Sequence, residues 1–293
     1  MHLVITGSAS FIGSEIRRQC VENGISVTGI DAVDSGGATC HVADIRDPAI
    51  SNLIPEGADA IIHLAALSRD PDCRDKGYEC FDANVMGTLN MMNAAQARGV
   101  KQFIFASTEW VYTGFEDGLE KTENSAIDVQ AITSEYALSK LVSEANLRQK
   151  FSHGFCPVTI LRLGIIYGPR PNNWSAVEAL LNATATKDEV EVGSLATSRR
   201  FIHITDVARA FRQSIGLDGC HIINIQGSQL NTLGDVIETS KRLLKRQTVV
   251  REKDPAHPNI RRVSAEKAKK TIDFTAKISL EQGLQDVIAF LGL

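Results

Sequence analysis

Short runs rich in Val and Ile alternate with longer segments of helical period through the first two thirds of the chain, which is the pattern of repeated βαβ units. The runs at about 2–6, 26–30, 39–42, 59–64, 101–106, 157–162 and 220–225 are continuously apolar rather than alternating. Both faces of each strand are therefore expected to lie under helices. The intervening segments predict helices at about 12–23, 78–98, 134–151, 173–186 and 205–216, with start signals at Thr133-Ser134 and Thr205-Asp206. A long polar, acidic loop runs from about Gly114 to Ala131. Past Gly227 the pattern changes to helices at about 232–245, 264–271 and 279–291 around a basic, proline-containing stretch from Arg251 to Arg262. The expected fold class is α/β, a doubly wound parallel sheet with a smaller C-terminal substrate-binding lobe. The expected division gives residues 1–170, with 199–226 returning to them, to a nucleotide-binding domain, and 171–198 with 227–293 to the lobe.

Composition narrows the picture without changing it. At 43% hydrophobic and 23% charged residues, the chain has enough apolar side chain for a buried sheet and shows no disorder signal. Its 31 basic and 35 acidic residues give a net charge of −4, so no broad positive field is available for nucleic acid. Cys20, Cys40, Cys73, Cys80, Cys156 and Cys220 are too scattered for a metal site, and reduced, structural thiols are expected. An apolar strand at the N-terminus with no charged leader, and no spanning segment elsewhere, predict a cytoplasmic protein that does not bind membrane.

Thr6-Gly7-Ser8-Ala9-Ser10-Phe11-Ile12-Gly13 follows the first strand and opens the first helix, where backbone N–H groups and the helix dipole can hold a pyrophosphate. This is a Rossmann-type turn with Ser10 in place of the middle glycine, so Ser10 must keep an ordinary φ and turn its side chain away. Asp31 ends the second strand, where a carboxylate accepts both ribose hydroxyls and repels a 2′-phosphate, which favours NAD over NADP. Asp44 and Ile45 are expected at the adenine edge, and Leu64, Ala65 and Ala66 beside the pyrophosphate and ribose. His63 is read as a satisfied structural group.

Tyr136 and Lys140 stand four apart on one helical face. An ammonium near a phenol favours phenolate, and a phenolate can take the hydroxyl proton as a hydride leaves a carbinol. Thr108, after the strand ending Phe103-Ile104-Phe105-Ala106, completes the expected proton-handling group.

These pieces, with Asn84-Val85-Met86-Gly87-Thr88, Leu161-Arg162, Tyr167-Gly168-Pro169 and Arg199 to Val207, resemble in order the extended short-chain dehydrogenase/reductase superfamily in its NAD-dependent epimerase/dehydratase branch. The resemblance implies a catalytic Thr108, Tyr136 and Lys140, NAD as cofactor with Asn84 among its contacts, and a sugar nucleotide as substrate. Ser68, Thr108, Glu109, Trp110 and Arg199 are the implied substrate contacts. It also implies a cycle in which a hydride leaves the sugar and returns. Trp110 stands where related dehydratases carry a second acid, and Glu109 is either a single acid or base or a solvated loop charge. Ile165 and Asp254 replace two diphosphate contacts, so a free sugar, sugar acid or lactone, and a net dehydrogenase or reductase, stay open beside the sugar-nucleotide epimerase. A non-catalytic NAD-binding protein is the third alternative. A homodimer is expected, with Met86, Leu89, Met91 and Met92 either supplying its apolar surface or facing the sheet.

Overall fold

The computed structural model describes residues 1–34, 36, 37 and 39–293, and of Asp117 the backbone alone. The central sheet has seven strands: β1 (His2–Thr6), β2 (Ser26–Asp31), β3 (Cys40–Val42), β4 (Ala60–His63), β5 (Phe103–Thr108), β6 (Val158–Leu163) and an edge strand, Cys220–Ile225. Its spatial order is edge strand, β6, β5, β4, β1, β2, β3. Pairing is parallel, with Leu3 of β1 opposite both Val27 and Ala60, and with hydrogen bonds from Val158 to Gly219 and from Gly164 to Ile225 along the edge strand. The doubly wound sheet expected from the pattern is the one observed. Every residue of β4, β5 and β6 is buried, which is why these strands read as unbroken apolar runs. The chain proceeds from β1 to one side and returns to β4 on the other, so the ends of β1 and β4 flank a topological switch point, where such sheets bind ligands.

Five helices accompany this sheet up to β6: α1 (Phe11–Glu22), α2 (Asp70–Cys73), α3 (Gly77–Phe81), α4 (Gly87–Ala97) and α5 (Glu135–Ser152). Hydroxyls of Ser10 and Ser134 accept from the Gly13 and Ala137 amides and so begin α1 and α5. The helix expected over 78–98 is interrupted by a π turn at Asp82–Met86. The Asn84 carbonyl there accepts the hydroxyls of Thr88 and Ser143, which hold the widened turn open. Met91 and Met92 are buried in the core with Val4, Ile61, Phe103, Phe105 and Val158, while Met86 is exposed. The methionine pair therefore faces the sheet. Burying each of these large side chains contributes roughly 1.5–3 kcal/mol.

The chain clusters into two compact units. The first comprises Met1–Gly114, Ser125–Arg162 and Ala208–Ile223, and the second Phe115–Asn124, Leu163–Val207 and Asn224–Leu293. The second unit has its own core of Tyr167, Val177, Leu181, Phe201, Val236, Leu284 and Val287. Its helices Ala176–Thr186, Leu233–Leu244 and Leu280–Leu291 each begin with a complete capping box. A parallel strand pair, Glu189–Val192 with Val249–Glu252, was not foreseen from the pattern. Among the described residues no helix is long and apolar enough to cross a membrane.

Candidate active site

The glycine turn lies where β1 meets α1. Gly7 adopts φ +71°, and a Cβ there would stand 2.8 Å from the Ala65 nitrogen, so glycine alone lets the turn pass the end of β4. A Cβ on Gly13 would lie 2.2 Å from the Gly7 carbonyl oxygen, which ties the close helix-to-strand approach to that glycine. Ser10 has φ −66°, and its hydroxyl is turned to the Gly13 amide as the helix cap. Asp31 sits beside this turn and accepts from the Ala9 amide at 2.8 Å and the Val33 amide at 3.1 Å. Asp44 and Ile45 follow β3; the Asp44 carboxylate is paired with Arg46, which holds it below the usual carboxylate range. Leu64 is buried and Ala65 and Ala66 are half-buried immediately after β4, with Ser68 exposed beyond them.

His63 closes β4 without solvent contact. Its Nδ1 lies 2.7 Å from the Thr6 hydroxyl and its Nε2 3.1 Å from that of Thr88. Burial, reinforced by the Lys140 charge, brings its pKa down to about 3. It is therefore a neutral imidazole at physiological pH, and the structural reading of this residue agrees with the geometry.

Thr108, Tyr136 and Lys140 meet at the end of β5 and the first turns of α5. The Thr108 hydroxyl is the polar neighbour of the Tyr136 phenol and accepts from the Trp110 amide at 3.2 Å. Lys140 Nζ lies 4.7 Å from the centre of the Phe105 ring and 5.9 Å from that of Tyr136. Burial, with the neighbouring Cys73 thiol, pushes the Tyr136 phenol above its usual value, against the pull of the Thr108 hydroxyl. Burial also pulls Lys140 down to about 8, opposed by Cys80, Cys73 and the Glu144 carboxylate. The spacing of Tyr136 and Lys140 gives proximity, and desolvation is the largest influence on both groups.

Glu109 is 2% exposed, directly after Thr108 in a short 3-10 turn, which excludes the solvated-charge reading. Trp110 beside it is partly exposed. The Asn84 amide is turned inward: it accepts from the Leu67 amide at 2.7 Å and donates to the Leu67 carbonyl and the Ser139 hydroxyl at 3.0 and 2.9 Å. In this geometry Asn84 fixes the loop after β4 to α5. In the second unit, the Arg199 guanidinium donates to the Ser198 carbonyl and to both oxygens of Asn259.

A buried network went unnoticed in the sequence. Glu144, one turn beyond Lys140, receives Arg162 Nε at 3.0 Å and Nη2 at 2.6 Å, and the Ser107 hydroxyl at 2.5 Å. The signal was available: an arginine inside the fully buried strand Val158–Leu163 requires a buried anion.

The sheet order, the glycine turn at the switch point and the Thr108, Tyr136 and Lys140 cluster at the end of β5 define a doubly wound α/β protein of the Rossmann class. The chain belongs to the NAD dependent epimerase/dehydratase family, whose model matches residues 3–225. It is similar over its whole length to an uncharacterised UDP-glucose epimerase of Bacillus subtilis, at 26% identity, covering 98% of that protein. A UDP-N-acetyl-alpha-D-glucosaminuronate decarboxylase of Bacillus cytotoxicus is 28% identical over 97% of this chain and 96% of its own. Among solved structures, a UDP-glucose 4-epimerase of Thermotoga maritima with UDP-glucose has the same fold, with a TM-score of 0.87 and 23% identity over 100% of this chain and 99% of that one.

Proposed function

We propose that the protein is a UDP-sugar epimerase that works by transient hydride transfer, with Tyr136 as the proton-handling residue. The observation that carries this reading is the meeting of a buried Thr108, a half-buried Tyr136 and a buried Lys140 at the end of β5 and the start of α5. The family membership and the UDP-sugar relatives support the substrate class. Gly7, Ser10, Phe11, Ile12 and Gly13 would hold the pyrophosphate of NAD, and Asp31 its adenosine ribose. The ordinary φ and inward hydroxyl of Ser10 and the bare backbone at Gly7 fit such a group. Ile45 and Leu64 to Ala66 would line the dinucleotide, with Lys140 on the second ribose. When bound, NAD supplies a hydride acceptor for the sugar carbinol and, in its oxidised form, a positive charge that favours phenolate.

The chain's own residues manage the proton. Thr108 hydrogen-bonds the sugar hydroxyl beside Tyr136, Tyr136 takes and returns the hydroxyl proton, and Lys140 keeps positive charge near the phenol. Ser68, Glu109 and Trp110 contact the sugar nucleotide, and the protein acts as a homodimer. A dehydratase is less well supported, because Trp110 provides no second carboxylate for elimination. Incubation with UDP-glucose, UDP-galactose and UDP-glucuronate, followed by proton NMR of the products, should show an epimer of one of them. Loss of water or net oxidation in its place would refute the epimerase reading.

A further inference from the structure

We propose that Glu144 is a positioning residue that ties the strand bearing Thr108 and the helix bearing Tyr136 and Lys140 to one another and to β6. This rests on the reading of Thr108, Tyr136 and Lys140 given above. Glu144 is 2% exposed, and its two oxygens are divided among three elements. Arg162 of β6 grips both oxygens, the Ser107 hydroxyl at the end of β5 donates to Oε1, and the side chain itself stands on α5. Ser107 is the residue before Thr108, and Lys140 is one helical turn before Glu144, so one carboxylate sets the approach of the strand that bears Thr108 to the helix that bears Tyr136 and Lys140. Arg162 also stacks on Tyr112, its guanidinium carbon 4.9 Å from the ring centre, which fixes the far side of the pair. Burial disfavours the Arg162 charge, but the Glu144 contact outweighs it and holds the guanidinium firmly protonated.

The electrostatic consequence falls on Lys140. The titratable groups acting on it are Tyr136 and Glu144 from its own helix, the Cys73 and Cys80 thiols from α2 and α3, and His63 from β4, which is neutral. Glu144 is the carboxylate among these groups, and it is ion-paired with Arg162. Its field favours the ammonium form, so removing it makes Lys140 lose its proton at lower pH.

The test is Glu144→Gln, which keeps the shape and a hydrogen-bonding oxygen but removes the charge, assayed on the UDP-sugar that the wild-type enzyme turns over. Expected are a fall in kcat on the order of ten- to a hundredfold with little change in KM, and an alkaline limb of the kcat profile moved to lower pH. A folded variant whose alkaline limb stays at the wild-type position overturns the proposal. If Glu144→Gln does not fold, Ser107→Ala leaves the ion pair intact and breaks only the link to β5. It should lower kcat at unchanged KM with a small fall in melting temperature, and wild-type kcat would overturn the proposal. Tyr136→Phe, measured alongside, separates the two claims. Full activity there refutes the Tyr136 reading itself, whereas loss of activity there with an unmoved limb in Glu144→Gln refutes the role of Glu144 alone.

Discussion

His63 should make the folded protein acid-sensitive in a way that can be measured on its own. Its imidazole is 1% exposed, bonded on both nitrogens to threonine hydroxyls and neutral down to a pKa of about 3, against 6.5 for the ordinary group. In the unfolded chain the ring takes up a proton as pH falls through 6.5, while in the folded protein it does not. The unfolded state therefore binds more protons, and stability falls with falling pH. The contribution is fully present above pH 6.5 and is lost progressively towards pH 3, at up to about 1.4 kcal/mol per pH unit and on the order of 5 kcal/mol in all. Urea denaturation of wild type and His63→Gln at several pH values between 7.5 and 4 isolates the term, since the carboxylates titrate alike in both. Glutamine also bonds hydroxyls but does not titrate, so the variant should start less stable at pH 7.5 and the difference should shrink as pH falls. Two stability curves that run parallel over this range would refute the assignment of a neutral, desolvated His63.

Gly13→Ala should weaken NAD binding by two orders of magnitude or more and lower stability by about 1–3 kcal/mol, because the new Cβ would stand 2.2 Å from the Gly7 carbonyl oxygen; calorimetric titration with NAD and a thermal melt check both. Asp31→Ala removes the acceptor for the Ala9 and Val33 amides and the proposed ribose contact, so NAD affinity should fall on the order of tenfold or more with a small change in melting temperature. An unchanged affinity in Asp31→Ala would remove this carboxylate from the cofactor site.

What the sequence revealed and what it hid follow from the kind of burial involved. β4, β5 and β6 are covered on both faces, so their apolar runs stood out, and the strand ends fall within two residues of those runs. The strand pair Glu189–Val192 and Val249–Glu252 has short strands that bury alternate residues, and such a pattern does not separate from loop. The π turn at Asp82–Met86 is held by hydroxyls of Thr88 and, from a distant helix, Ser143, so local periodicity carries no trace of it. At the site, the identity and spacing of Tyr136 and Lys140 were legible, but their protonation was not. That depends on burial and on Lys140 lying over the Phe105 ring, which are tertiary facts. The Glu144–Arg162 pair joins α5 to β6 across residues that share no local motif.

The central claim, a hydride that leaves the sugar and comes back under the control of Tyr136, is tested most directly with substrate deuterated at the carbinol carbon. The wild-type enzyme should give the epimeric UDP-sugar with deuterium retained at that carbon and no net NADH, and Tyr136→Phe should slow this by orders of magnitude while still binding NAD. Deuterium lost to solvent, stoichiometric NADH with an oxidised product, or full activity in Tyr136→Phe would contradict it.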